Sequence, residues 1–205
     1  MNNKTVFLLF CFALFGLYAS SCKRDDPKTI ISGRVTEYGT NDPIQNAKVY
    51  VLCHSGGIFD PIQNGNLYDT LFTDNDGRFY REYLDKNLCG AAYLAFYKPG
   101  YFFHGDVDLS NGEENYFEVV LDPEAWLEIV TVPDGGIEHL LIRGDFYGAS
   151  IEIYSTDGIQ KRLFETKGSR FRHLHWRQWE EPNDDIKYDS VYVSAHDTTI
   201  YTIHY

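Results

Sequence analysis

The chain has 205 residues, 43% of them hydrophobic and 23% charged, which is enough apolar content to bury a core and too much for a disordered polypeptide. Sixteen Tyr and fourteen Phe against a single Met favour pleated, half-buried strands over helices, so an all-β fold is expected. Thirty acidic against eighteen basic side chains give a net charge of -12, which repels phosphate backbones and argues against nucleic acid as a partner.

Asn2, Asn3 and Lys4 make a short polar, positive start, and Val6 to Tyr18 carry no charge. That run is too short to span a bilayer comfortably as a helix and reads as a secretory signal peptide over residues 1–21. Leu17-Tyr18-Ala19-Ser20-Ser21-Cys22 follows, with small residues ahead of a cysteine, and resembles the lipobox of bacterial lipoproteins. The resemblance implies that Cys22 becomes the lipidated N-terminus and that the protein is held to a membrane by lipid. Ala19 stands where that family usually has Leu, and the other reading is an ordinary secretory signal cleaved near Ser20 with Cys22 as a bystander. Residues 22–28 (Cys22, Lys23, Arg24, Asp25, Asp26, Pro27, Lys28) offer nothing apolar after the cysteine and form a solvated tether. Asp25-Asp26 beside the cysteine also resembles the signal that carries some lipoproteins of Gram-negative bacteria to the outer face, which implies an outer-membrane, cell-surface location. Of the four cysteines, Cys11 leaves with the signal and Cys22 takes lipid. Cys53 and Cys89 remain, in an oxidising compartment, either as a disulfide or as two buried thiols.

Residues 29–122 read as a first domain. Ile31, Gly33 and Val35 alternate with polar neighbours, Asn41-Asp42-Pro43 turns the chain, and Ala47, Val49, Val51 and Cys53 alternate again. Leu67 to Thr73 and Arg78 to Leu84 read as strands joined in a hairpin by Asp74-Asn75-Asp76-Gly77. Ala91 to Tyr97 and Tyr116 to Leu121 complete six short strands, the pattern of a β-sandwich. The motifs Ile31-x-Gly33-x-Val35, Pro43-Ile44-x-x-Ala47-x-Val49-x-Val51, Thr73-Asp74-x-x-Gly77-x-Phe79 and Lys98-x-Gly100-Tyr101 occur in that order. Together they resemble the carboxypeptidase regulatory-like domain, whose fold is a transthyretin-like sandwich without an active site of its own, used as an accessory in secreted and surface proteins. His54 to Asn66 and His104 to Glu114 depart from that family's spacing and read as inserted loops.

Residues 123–205 read as a second β-domain, of no recognised family. Trp126 to Val132 with His139 to Arg143, Ala149 to Tyr154 with Ile159 to Thr166, and Tyr188 to Ala195 with Thr199 to Tyr205 each read as hairpins, and Phe171 to Trp179 as a further strand. The expected fold class is therefore all-β, two β-sandwich-like domains in tandem.

Catalytic signatures are missing from this sequence. None of the seven histidines has His-Glu-x-x-His or His-x-x-Glu spacing, and Gly-x-Ser-x-Gly, Cys-x-x-Cys, a phosphate loop and Gly-x-Gly-x-x-Gly do not occur, so no cofactor and no enzymatic activity are expected. Asp74 and Asp76, and separately Asn183, Asp184 and Asp185, are fragments of calcium-loop patterns better read as a turn and a solvated loop. Phe171, His173, His175, Arg177 and Trp179 share one strand face, and Arg172, Leu174, Trp176 and Gln178 the other; neither is wholly apolar. One of the two indoles is thus expected at the surface or under a partner, which makes Trp176, Trp179, His173, His175 and Arg177 the candidate ligand-binding set, without a metal. The functional expectation is a cell-envelope lipoprotein acting as a non-catalytic accessory or binding module for a glycan, peptide or receptor. The alternative is a fimbrial or adhesive subunit that inserts Thr199 to Tyr205 into a neighbour's sheet.

Overall fold

The computed structural model describes residues 28–53, 66–84, 88–134, 139–144, 151–154, 158–178 and 186–205. Among these residues the regular structure is all strand. The first seven are β1 (Thr29–Glu37), β2 (Lys48–Cys53), β3 (Asn66–Phe72), β4 (Arg78–Tyr83), β5 (Ala92–Tyr97), β6 (His104–Leu109) and β7 (Glu114–Leu121). The second seven are β8 (Glu124–Val132), β9 (His139–Gly144), β10 (Ile151–Tyr154), β11 (Gln160–Lys167), β12 (Arg170–Gln178), β13 (Lys187–Val193) and β14 (Thr198–His204). Alternation decides which way each strand faces: in β8, Ala125, Leu127, Ile129 and Thr131 are buried while Trp126, Glu128 and Val130 are half-exposed.

Four sheets result, in the orders β4-β1-β7, β3-β2-β5-β6, β11-β8-β14 and β10-β9-β12-β13. Ile31, Val35, Val49, Leu94, Phe96 and Leu121 close one core between the first two sheets. Leu127, Ile129, Leu140, Ile142, Leu174 and Ile203 close another between the last two. Each fully buried aliphatic side chain contributes about 1.5–3 kcal/mol relative to exposure, so each core is an independent source of stability. The fold is thus all-β, with two β-sandwich-like units in tandem.

The second unit repeats the topology of the first, strand for strand. β1 pairs antiparallel with β4 and parallel with β7, and β8 pairs antiparallel with β11 and parallel with β14. β2 lies between β3 and β5, with β6 beyond, just as β9 lies between β10 and β12, with β13 beyond. Left-handed residues also recur at matching turns: Gly77 and Gly158 lead into β4 and β11, and Gly112 and His196 into β7 and β14.

This topology corrects four expected hairpins. Asp74 to Gly77 joins β3 to β4, but β3 pairs with β2 and β4 with β1, so the turn arches between sheets. The arch is held from inside: buried Thr73 donates its hydroxyl to the Ile44 carbonyl at 2.6 Å and accepts from the Ala47 amide at 2.8 Å. Gly77 sits so close to β1 that a Cβ would lie 2.4 Å from the Val35 carbonyl oxygen, and its φ of +73° is one that L side chains rarely adopt. In the second unit β8 does not pair with β9, β10 with β11, or β13 with β14; each pair is split between the two sheets. The stretch from His104, expected to be loop, contributes β6, which pairs with β5. Residues 54–65, within the other expected insertion, lie outside the described residues.

Only Asp122 and Pro123 separate β7 from β8, and the joint is stitched on both sides. The Glu124 amide donates to the Gly100 carbonyl at 2.8 Å, Phe102 to Asp122 at 2.9 Å and Gly168 to Pro123 at 2.8 Å. The Asp122 carboxylate takes Lys167 Nζ at 2.5 Å and the Arg170 guanidinium, which lies 4.0 Å over the Tyr38 ring. Across the joint, Glu37 accepts from Tyr101 at 2.7 Å and lies 3.1 Å from His196 Nε2, with the Tyr101 and His196 rings 4.9 Å apart.

Candidate functional site

β12 is an inner strand, and its register with β9 and β13 sorts its side chains. Leu174 is 1% exposed and sits in the second core, with Trp176 packed against that core and its ring 6.3 Å from Tyr201. Arg172, Leu174 and Trp176 are therefore the inward set. Trp176, expected as a ligand-binding candidate, is a packing residue, because it shares its face with Leu174. Trp179 and the loop containing Asn183, Asp184 and Asp185 lie outside the described residues.

The outward set is Phe171, His173, His175 and Arg177, and β13 extends it. Phe171 (61% exposed) meets Tyr192 edge-on at 5.3 Å, His173 stands opposite Ser190, and His175 lies 5.9 Å from Tyr188, which is 74% exposed. Arg143, His175, Arg177, Leu141 and Ile186 line a hollow of about 110 Å³ at one end of this stripe. The two histidines are not joined by a third metal-ligating side chain among the described residues, where no group of three His, Cys, Asp or Glu comes together. Aromatic rings with arginine and imidazole on a flat sheet face can hold a partner by stacking and by directed hydrogen bonds.

Other expected positions are placed as follows. Cys53 and Cys89 form a disulfide, with Cα atoms 5.9 Å apart. Asp74 turns its Oδ1 to the amides of Asp76 and Arg78 at 2.9 and 2.8 Å, so its carboxylate caps a turn. Thr199 to Tyr205 runs along β8 within its own sheet, with Ile203 and Tyr205 buried, and donating it to a neighbour would first vacate that place. Glu37, Tyr101 and His196 bring a carboxylate, a phenol and an imidazole together, but each is occupied by the others. Burial and the bond to Glu37 push the Tyr101 phenol well above its ordinary range, which makes it a poor acid. Burial pushes the Glu37 carboxyl up, yet the bonds from Tyr101 and His196 outweigh it and hold the carboxyl below the usual carboxylate value of 4.5.

Sequence reasoning missed a groove of about 740 Å³ on the outer face of β4-β1-β7. Its legible signal was an exposed Tyr next to a core-packed Phe in both flanking strands, buried Phe79 beside Tyr80 and half-buried Phe117 beside Tyr116, but which strands flank β1 depends on the sheet order.

No family model and no curated protein matches this chain. Among solved structures, the TIE protein of Bacillus anthracis is similar at 11% identity, with 87% of this chain and 34% of that one covered and a TM-score of 0.36. A streptococcal ancillary pilin is similar at 11% identity over 89% of this chain and 63% of that one, TM-score 0.34. A DUF3823 family protein from Bacteroides uniformis is similar at 9% identity over 84% of this chain and all of that one, TM-score 0.33. This chain spans about a third of the Bacillus protein and under two thirds of the ancillary pilin.

Proposed function

We propose that the chain is a non-catalytic binding module of a bacterial cell envelope, anchored by lipid on Cys22 at the outer membrane, in which the second sandwich meets a protein or glycan partner. The observation that carries the reading is the stripe on β12 and β13, where exposed Phe171 and Tyr192 form one ring pair and exposed Tyr188 forms another with half-buried His175. Aromatic anchors that lose their water on binding dominate the energy of interfaces, and a sheet with its other face already in a core has no structural need of exposed rings. The likeness of the first unit to carboxypeptidase regulatory-like domains agrees with an accessory role, and the stitched joint holds the second unit at a fixed attitude to the first.

The test has two parts. Mass spectrometry of the mature N-terminus is expected to find lipid on Cys22, and Cys22→Ala to release the chain from the membrane fraction; an unmodified N-terminus near Ser20 overturns the anchor. A glycan and peptide array probed with the full chain is expected to give ligands that Phe171→Ala or Tyr188→Ala lose while the melting temperature holds. Ligands retained by both variants overturn the site. The other reading, a fimbrial or adhesive subunit, is favoured by β14 standing at the edge of its sheet among the described residues and predicts denaturant-resistant ladders on purification.

A further inference from the structure

The groove on the first sandwich lies over its middle strand. β1 is bonded on both sides, to β4 and to β7, so its backbone offers no free amide or carbonyl for an added strand. Over β1 itself, a ligand in this hollow is recognised by side chains. The register sets them in two rows: Tyr80, Ser32 and Tyr116 in one, Arg78, Arg34 and Glu118 in the next. In the first row two rings, 63% and 65% exposed, flank a small hydroxyl side chain, with two inter-strand spacings of about 4.8 Å each between their backbones. A flat, partly apolar ring fits between or upon such faces.

The second row sets Arg78 directly opposite Arg34 on neighbouring strands, a like-charge pairing that costs stability unless an anion offsets it. Arg34 bonds only through Nε, to the Asp76 carbonyl at 3.1 Å, and the Arg78 guanidinium has no hydrogen-bond or ion-pair partner among the described residues. In a chain of net charge -12, a groove whose Arg34 and Arg78 balance the Asp74 and Glu118 carboxylates of its lining is a local exception to the overall field. Glu118 accepts the Tyr116 hydroxyl and keeps lone pairs that can receive further donors.

We propose that this groove binds an acidic sugar, the carboxylate of a sugar ring lying across Arg34 and Arg78, the ring's apolar face against Tyr80 or Tyr116, and its hydroxyls donating to Glu118 and Ser32. A guanidinium meets a carboxylate through two parallel N–H bonds, and a pyranose offers the three surfaces the groove addresses: an anion, an apolar face and a hydroxyl edge. The site stands apart from the β12–β13 stripe and does not depend on it.

Calorimetry of the full chain with three acidic probes, tetragalacturonate, a hyaluronan tetrasaccharide and sialyllactose, tests the assignment, with cellotetraose and tetraglutamate as the neutral and peptide controls. At least one acidic sugar is expected to bind, at least about tenfold more tightly than cellotetraose and more weakly as salt rises. Arg78→Gln, Tyr80→Ala and Tyr116→Ala should each weaken that binding about tenfold or more. All three side chains line an open face, so the melting curve is expected to hold. Absence of binding by all three acidic sugars at about 1 mM, equal affinity for cellotetraose, or indifference to Arg78→Gln overturns the proposal. Tighter binding of tetraglutamate than of any sugar overturns the ligand class in favour of an acidic peptide.

Discussion

Removing the Cys53–Cys89 bond should unfold the first sandwich selectively. The two cysteines are 36 residues apart, and closing a loop of that length removes about 12.8 cal/mol/K of entropy from the unfolded chain, or about 3.8 kcal/mol at 25 °C. Little of this is offset by distortion, because Cys53 already pairs with Ala92 across β2 and β5 and the Cα separation of 5.9 Å falls in the ordinary range. For a unit of this size the loss corresponds to a fall of about 15–30 °C in melting temperature. The two units can be watched separately: both remaining cysteines are in the first, and Trp126, Trp176 and Trp179 are all in the second. Calorimetry of the Cys53→Ala/Cys89→Ala variant, or of the natural chain with reductant, is expected to displace one transition, while the tryptophan fluorescence transition moves much less. Unchanged calorimetric midpoints with and without reductant would refute the reasoning, as would a tryptophan transition that falls as far as the calorimetric one.

Trp176→Ala should cost about 3 kcal/mol through a cavity beside Leu174, whereas Phe171→Ala should stay within about 0.5 kcal/mol; chemical denaturation compares them, and the reverse order would invert the assigned faces of β12. Gly33→Ala should fail to fold or lose several kcal/mol, since the new Cβ would stand 2.2 Å from the Phe117 carbonyl oxygen and 2.7 Å from the Phe79 ring, as circular dichroism will record. Asp122→Ala leaves Lys167 and Arg170 without their shared carboxylate and should cost about 1–2 kcal/mol at these partly exposed positions, with added salt shrinking the difference from the natural chain. Glu37 has its carboxyl lowered in the folded state, so the stability it contributes is complete above about pH 4.5 and drains away as pH falls through the lowered value. Stability measured from pH 7 to 3 should accordingly converge for the natural chain and Glu37→Gln on the acid side; a gap that persists to pH 3 argues against the Glu37 account.

Strand positions were largely legible, because a period of two in Ile31 to Val35, Ala47 to Cys53 and Trp126 to Val132 is imposed by having one face in a core. Partners were not. A turn such as Asp74 to Gly77 has the same residues whether it closes a hairpin or arches between sheets, and what decides is Thr73 bonding to Ile44 and Ala47, nearly thirty residues away in sequence. The repeat of topology was hidden for a related reason: the turn left-handed at Gly112 in the first unit is left-handed at His196 in the second, so equivalent places carry unlike residues. On β12 the alternation of Phe171 to Trp176 separated the two faces correctly, but Leu174 against four polar or aromatic neighbours could not say which was inward until β9 and β13 were in place. The groove over β1 left only a local signal, because Tyr80 and Tyr116 come to flank Ser32 through an antiparallel and a parallel pairing, the second some eighty residues apart.

That parallel pairing also bears on what happens when the chain is pulled. In each unit the first and last strands lie side by side and run the same way, Ile30 to Glu37 along Glu114 to Leu121 and Trp126 to Val132 along Thr198 to His204. Tension applied at the two ends of the chain therefore draws these neighbours past one another along their length, so their hydrogen bonds take the load together instead of opening one at a time. With Asp122 and Pro123 handing β7 directly to β8, the two sandwiches carry force in series through matched shear clamps. Such a chain would resist extension along its axis far better than a tug across either sheet.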